Sequence, residues 1–206
     1  MAQLAAETDR AASAAPAFAN PSPLGLCGFA MSTFVLSSIN AGWFPAGGTN
    51  IIVGLAFFYG GIAQLITGAL EFRVGNTFGV TAFTSYGAFW LALAFIFIPG
   101  TGILDALTKG AAVDQALGLF LLAWTIFTGM LLLCTFRLNN ALIITFALLF
   151  VTLILLTYGY LGSSTGAHTL GGYLGVATAI AAWYTALSML LSAVNFPFTL
   201  PVGPRS

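Results

Sequence analysis

Residues 138–204 contain no Asp, Glu, Lys or Arg, and neither do residues 24–70, 74–104 or 115–136. That absence restricts the fold more than any other feature of the chain. Charged residues make up 5% of the sequence and hydrophobic ones 59%, whereas soluble domains carry about 25% charged residues. Such a chain belongs in a bilayer, as an all-α integral membrane protein. The formal net charge is +0, which argues against nucleic acid as a partner.

A helix needs about 20 apolar residues to cross about 30 Å of hydrocarbon. The charge-free runs therefore hold two, one, one and two spans, six in all. Turn residues set the borders: "NAGWFPAGGTN" (40–50), "EFRVGN" (71–76), "PGTGILDALTKGAAVD" (99–114), "RLNN" (137–140) and "GSSTGAHTLGG" (162–172). The predicted spans are 24–40, 49–70, 77–98, 115–135, 140–161 and 171–193. They form one domain over 20–197, between a disordered tail (1–19) and a C-terminal tail (198–206). With six spans, Arg10, Arg73, Arg137 and Arg205 share one side, against Lys109 beside Asp105 and Asp114 on the other. Basic residues favour the cytoplasm, so both termini are placed there, with Trp43 and Phe44 at the outer interface.

Gly54, Gly61 and Gly68 recur at every seventh position, and Gly171, Gly175 and Ala179 at every fourth. Small-residue stripes of this kind let helices approach closely, within a protomer or between subunits. Cys27 and Cys134 lie in apolar runs and read as packing residues. No Asp, Glu, Lys, Arg or His falls inside a predicted span; His168 falls in the outer loop before the last one. Intramembrane ionisable groups mark proton relays, so their lack argues against a buried-carboxylate pump. It suits a conduit for a neutral solute or weak acid, or for an anion solvated by hydroxyls, amides and helix ends. Thr33, Thr81, Thr145, Thr152 and Thr178 are available hydroxyls, although such groups commonly bond back to their own helix. Gln64 is costlier to bury and is a candidate for lining a path. Trp90, Trp124 and Trp183 fall near mid-membrane, where packing is the plainer role; Trp90 is kept as a lining candidate. No catalytic constellation, cofactor motif or metal-ligand spacing occurs, so no enzyme activity is expected.

The stretch "NPSPLGLCGF" (20–29) concentrates prolines and glycines at the start of the first span. Asn20 suits an N-cap, and Pro21 or Pro23 the first turn, where a missing N–H costs nothing. Gly25 and Gly28 keep that turn slim. A helix N-terminus also favours anions, which makes Asn20 a candidate at a carboxylate-receiving mouth.

This stretch resembles the NPAPLGL signature of the acetate uptake transporter family, the succinate–acetate permeases, with Ser22 in place of an alanine. "FYGGIAQLITGALEFRVGNTFG" (58–79) and "TAFTSYGAFW" (81–90) resemble that family's second span and loop and its third span. The resemblance implies a six-helix protomer with its own pore, assembled as a hexamer in the inner membrane. It implies transport of acetate and to some extent succinate, proton-linked or channel-like. It also implies a constriction at Phe29, Tyr86 and Leu149, and an influence of Ala182 on substrate size. Depth agrees: at about 1.5 Å rise per residue, Tyr86 and Leu149 lie about 13 Å from the cytoplasmic ends of their spans, Phe29 about 8 Å. Tyr86 hydroxyl and Gln64 amide donors would meet the carboxyl end of a short acid. The alternative is a channel for water or ammonia. Aquaporins, however, carry two NPA boxes on half-helices, and here a single NPS sits at the membrane edge. A membrane scaffold without flux is the third possibility.

Overall fold

The computed structural model describes residues 18–45, 50–107 and 112–205. Among the described residues, six helices are long and apolar enough to cross a membrane: Ser22–Asn40, Ile51–Arg73, Thr77–Phe97, Ala112–Thr135, Asn140–Leu161 and Thr165–Ala193. They are called the first to sixth spans below. A short helix, Ile103–Leu107, lies between the third and fourth. The tail 1–17, including Arg10, and the loop residue Lys109 lie outside the described residues.

The six spans pack in the order three, two, one, six, five, four, and the fourth touches the third lightly. The bundle is thus a closed ring around a central axis, as predicted. Large apolar side chains such as Phe58, Phe72, Leu119, Leu133 and Ile180 cover its outside, the surface a bilayer requires. The protein is a multi-pass membrane protein.

Loop chemistry starts the helices as their sequences suggest. Asn76, Asn139 and Ser164 accept from the backbone N–H of Gly79, Leu142 and Ala167 at 3.0, 2.8 and 3.3 Å. Each satisfies one of the N–H groups that a helix start leaves free. Thr145 and Thr178 bond back to the carbonyls of Ala141 and Leu174.

Four expectations need correction. The first span starts at Ser22, and its boundary residue is Pro21, not Asn20. Asn20 Oδ1 instead accepts from Ser22 N–H at 3.0 Å, the two-residue reach of an Asx turn. The sixth span starts at Thr165, because Ser164 caps it; His168 is therefore helical rather than in a loop. Its ring packs edge-on against Tyr160, centroids 5.1 Å apart.

The third correction concerns the second span, which is not a uniform helix. Residues Ala56–Ala63 form a π-helix between α-helical Asn50–Leu55 and Gln64–Arg73. The wider turns change which face each half presents. The predicted stripe is broken accordingly: a Cβ at Gly54 would meet nothing within 4 Å, whereas one at Gly61 would meet Leu91 at 2.6 Å. Gly60 joins the packed set, facing Ser32 of the first span and Trp90 of the third.

The fourth correction is that a carboxylate does lie inside a span. The second span runs on to Arg73, and Glu71 is 0% exposed.

Candidate functional site: a two-cavity path through the bundle

Two cavities enter the ring from opposite ends. One opens at the end that carries the chain termini. Its empty volume is about 850 Å³, and its lining includes Ser22, Gln64, Asn76, Leu138, Asn139 and Phe146. The other opens at the far end, with an empty volume of about 790 Å³, and its lining includes Thr33, Asn40, Trp90, Trp124, Leu149 and Tyr160. The two linings share only Phe29 and Tyr86. These two rings, 5.8 Å apart between centroids, are the wall between the cavities.

The wall follows from local sequence. Gly25 and Gly28 bring the first span against its neighbours: a Cβ at Gly25 would meet Phe83, and one at Gly28 would meet the Tyr59 carbonyl at 2.6 Å. Phe29, the next residue, is thereby aimed inward. Gly87 performs the same service for Tyr86, since a Cβ there would lie 2.9 Å from the Leu65 backbone nitrogen. Three further aromatic rings, Trp124, Phe127 and Phe146, surround Tyr86 at 6.1, 5.8 and 6.3 Å. An apolar wall slows hydrated ions, because removing water from a charge without replacement bonds is costly.

The structure brings together most residues singled out in the sequence. Phe29 and Tyr86 form the wall, and Leu149 joins them in the far cavity with Thr33 and Trp90. Gln64 lines the termini-end cavity, 1% exposed. Ala182 is fully buried and borders neither cavity, so a larger side chain there reaches the path only by displacing its neighbours. Asn20 likewise borders neither; it holds the first turn. Four buried polar atoms have no partner among the described residues: Ser32 Oγ, Thr33 Oγ1, Gln64 Oε1 and Trp90 Nε1. Three of their four residues line the cavities, so the path offers polar groups on both sides of the aromatic wall.

Several site residues were not placed at the site from the sequence. Trp124 and Phe146 pack on Tyr86 from spans that are apolar all round, so helical periodicity could not assign their faces. Thr128 is 0% exposed, and its hydroxyl lies 2.9 Å from Tyr86 Oη. The Tyr86 hydroxyl therefore has a resident partner. Thr128→Val should lower stability by about 1–3 kcal/mol, the cost of leaving a buried hydroxyl unpaired. Adding Tyr86→Phe should recover part of it; thermal unfolding in detergent reads both.

Comparison with known proteins agrees with this architecture. Residues 3–205 match the profile described as the GPR1/FUN34/yaaH family. The chain is 45% identical over 194 residues to "Ammonia transport outward protein 2" of Saccharomyces cerevisiae, covering 91% of this chain and 69% of that protein. It is 39% identical over 186 residues to "Succinate-acetate/proton symporter SatP" of Escherichia coli K12, covering 90% of this chain and 95% of that one. Its fold superposes on "Structure of the bacterial acetate channel SatP" with a TM-score of 0.82 at 40% identity, covering 90% of this chain and 99% of the other. With a family profile that spans nearly its whole length and relatives this similar, the chain belongs to the GPR1/FUN34/yaaH family.

Proposed function

We propose that the protein transports acetate and other short carboxylates such as succinate across the cytoplasmic membrane, through the path within each protomer. The observation that carries this reading is the pair of opposed cavities whose linings meet at Phe29 and Tyr86. The wall suits a cargo with an apolar methyl end, and the unpartnered Thr33 hydroxyl and Trp90 indole N–H on its far side are donors for a carboxyl end. The SatP relatives, named for acetate and succinate, support the choice of substrate. No catalytic role is assigned to the path. Both termini face the cytoplasm on this reading, from the arginines at that end, and the protomers assemble as a hexamer. Protons accompany the cargo where uptake follows a pH gradient.

The test is labelled-acetate uptake into proteoliposomes, with and without a pH gradient, beside osmotic swelling. Flux no greater than in empty liposomes would refute the proposal. A second reading, a channel for a small neutral solute, is favoured by the name of the ammonia-exporting yeast relative. It requires swelling or ammonia flux with no acetate uptake.

Two substitutions probe the path. Tyr86→Phe should lower acetate flux with assembly intact; unchanged flux would remove the hydroxyl from the mechanism. Leu149→Ala enlarges the far cavity and should raise uptake of acids larger than acetate relative to acetate. An unaltered substrate profile would place that side chain off the path.

A further inference from the structure

The mouth at the termini end contains a group that the path itself does not expose. Glu71 is 0% exposed and belongs to neither cavity lining. Its two carboxylate oxygens each accept one hydrogen bond. Ser22 Oγ donates to Oε1 at 2.5 Å, and Asn76 Nδ2 donates to Oε2 at 2.7 Å. Both donors line the termini-end cavity. Ser22 opens the first span, and Asn76 caps the third by accepting from Gly79 N–H. One carboxylate thus joins the starts of two helices to the end of a third. Gly79 leaves it room, since a Cβ there would lie 2.7 Å from Glu71 Cδ.

We infer that Glu71 is a positioning residue of the mouth: it sets the rim and withholds the Ser22 hydroxyl proton from the cargo. The physical content is a competition. Ser22 has one hydroxyl proton, and Glu71 engages it. A cargo carboxylate entering the cavity then finds Ser22 present but without a free donor. The mouth, mostly apolar with a few polar groups, then binds an anion weakly, which a conduit needs if cargo is to leave again. The effect on cargo rests on the transport reading; the clasp itself does not.

Glu71→Gln separates the two roles. The amide fits the same space. Its oxygen can accept from Asn76 Nδ2 while its nitrogen donates to Ser22 Oγ, so the scaffold persists. The Ser22 proton is then released toward the cavity. Half-saturating acetate should fall by about tenfold or more, the scale of one added hydrogen bond to a charged group, and maximal flux should fall as release slows. Ser22→Ala in the same background should restore the wild-type value. Ser22→Ala alone should lower the melting temperature yet leave half-saturation unchanged, because its hydroxyl is already engaged.

The experiment is acetate flux across a concentration series in proteoliposomes for the four proteins, with thermal unfolding of each. An unchanged half-saturation in Glu71→Gln, or a fall that survives Ser22→Ala, overturns the inference. If Glu71→Gln does not fold, Ser22→Ala decides alone: a raised half-saturation would mean that the hydroxyl already serves the cargo. Absence of flux in the wild type would defeat the transport reading instead. The clasp would then stand or fall on an unfolding cycle of Ser22→Ala with Glu71→Ala, in which each change removes the contact and additive effects would refute it.

Discussion

Replacing Phe29 by Ala should raise acetate flux by about tenfold or more and admit larger acids such as succinate more freely. Phe29 is one of two side chains shared by the opposed cavities. Truncating it removes half of the wall and leaves Tyr86 to close the path alone. A tenfold rise needs the barrier to fall by only about 1.4 kcal/mol, which is small beside the cost of drying a carboxylate at an apolar constriction. The substitution also costs stability, but one side of the ring already borders empty space, so the loss should stay below the about 3–5 kcal/mol of a fully packed Phe→Ala change. Flux and substrate profile in proteoliposomes check the result. Unchanged values for both would mean that the path does not run between these rings.

Gly28→Val should abolish the folded protein. A Cβ at Gly28 would lie 2.6 Å from the Tyr59 carbonyl oxygen, far inside van der Waals contact. Tyr59 belongs to the π-helical stretch of the second span, so the obstacle is backbone, which cannot turn aside as a side chain can. Overpacking typically costs about 1–3 kcal/mol, and here the first and second spans must separate. Gly54→Val is the control, because nothing lies within 4 Å of its Cβ position. Melting in detergent should show Gly54→Val near the wild type and Gly28→Val without a transition. A folded Gly28→Val protein would refute the close approach.

The six spans were legible because hydrocarbon imposes one overriding demand, a long run free of charge. The residues of the wall were legible through resemblance. Three features were not legible, each for a physical reason. The π-helix leaves no mark in hydropathy, since an apolar stretch reads alike in either geometry. Glu71 read as a loop residue because a charge beside Arg73 signals a membrane edge; only the fold shows it closed over by Ser22 and Asn76. The partners of Tyr86 come from the fourth and fifth spans, whose faces periodicity does not distinguish. His168 was misplaced because the glycines around it resemble a turn, whereas Ser164 caps a helix that simply begins earlier.

Among the described residues, the linings of both cavities hold no Asp, Glu, Lys, Arg or His. The path therefore presents no fixed charge on which a membrane voltage could pull. A voltage of 100 mV acts on one elementary charge crossing the membrane with about 2.3 kcal/mol. Whatever voltage dependence the flux shows must then be carried by what moves through it. An acid crossing in its neutral form would be indifferent to the field, and an acetate anion crossing alone would register as current.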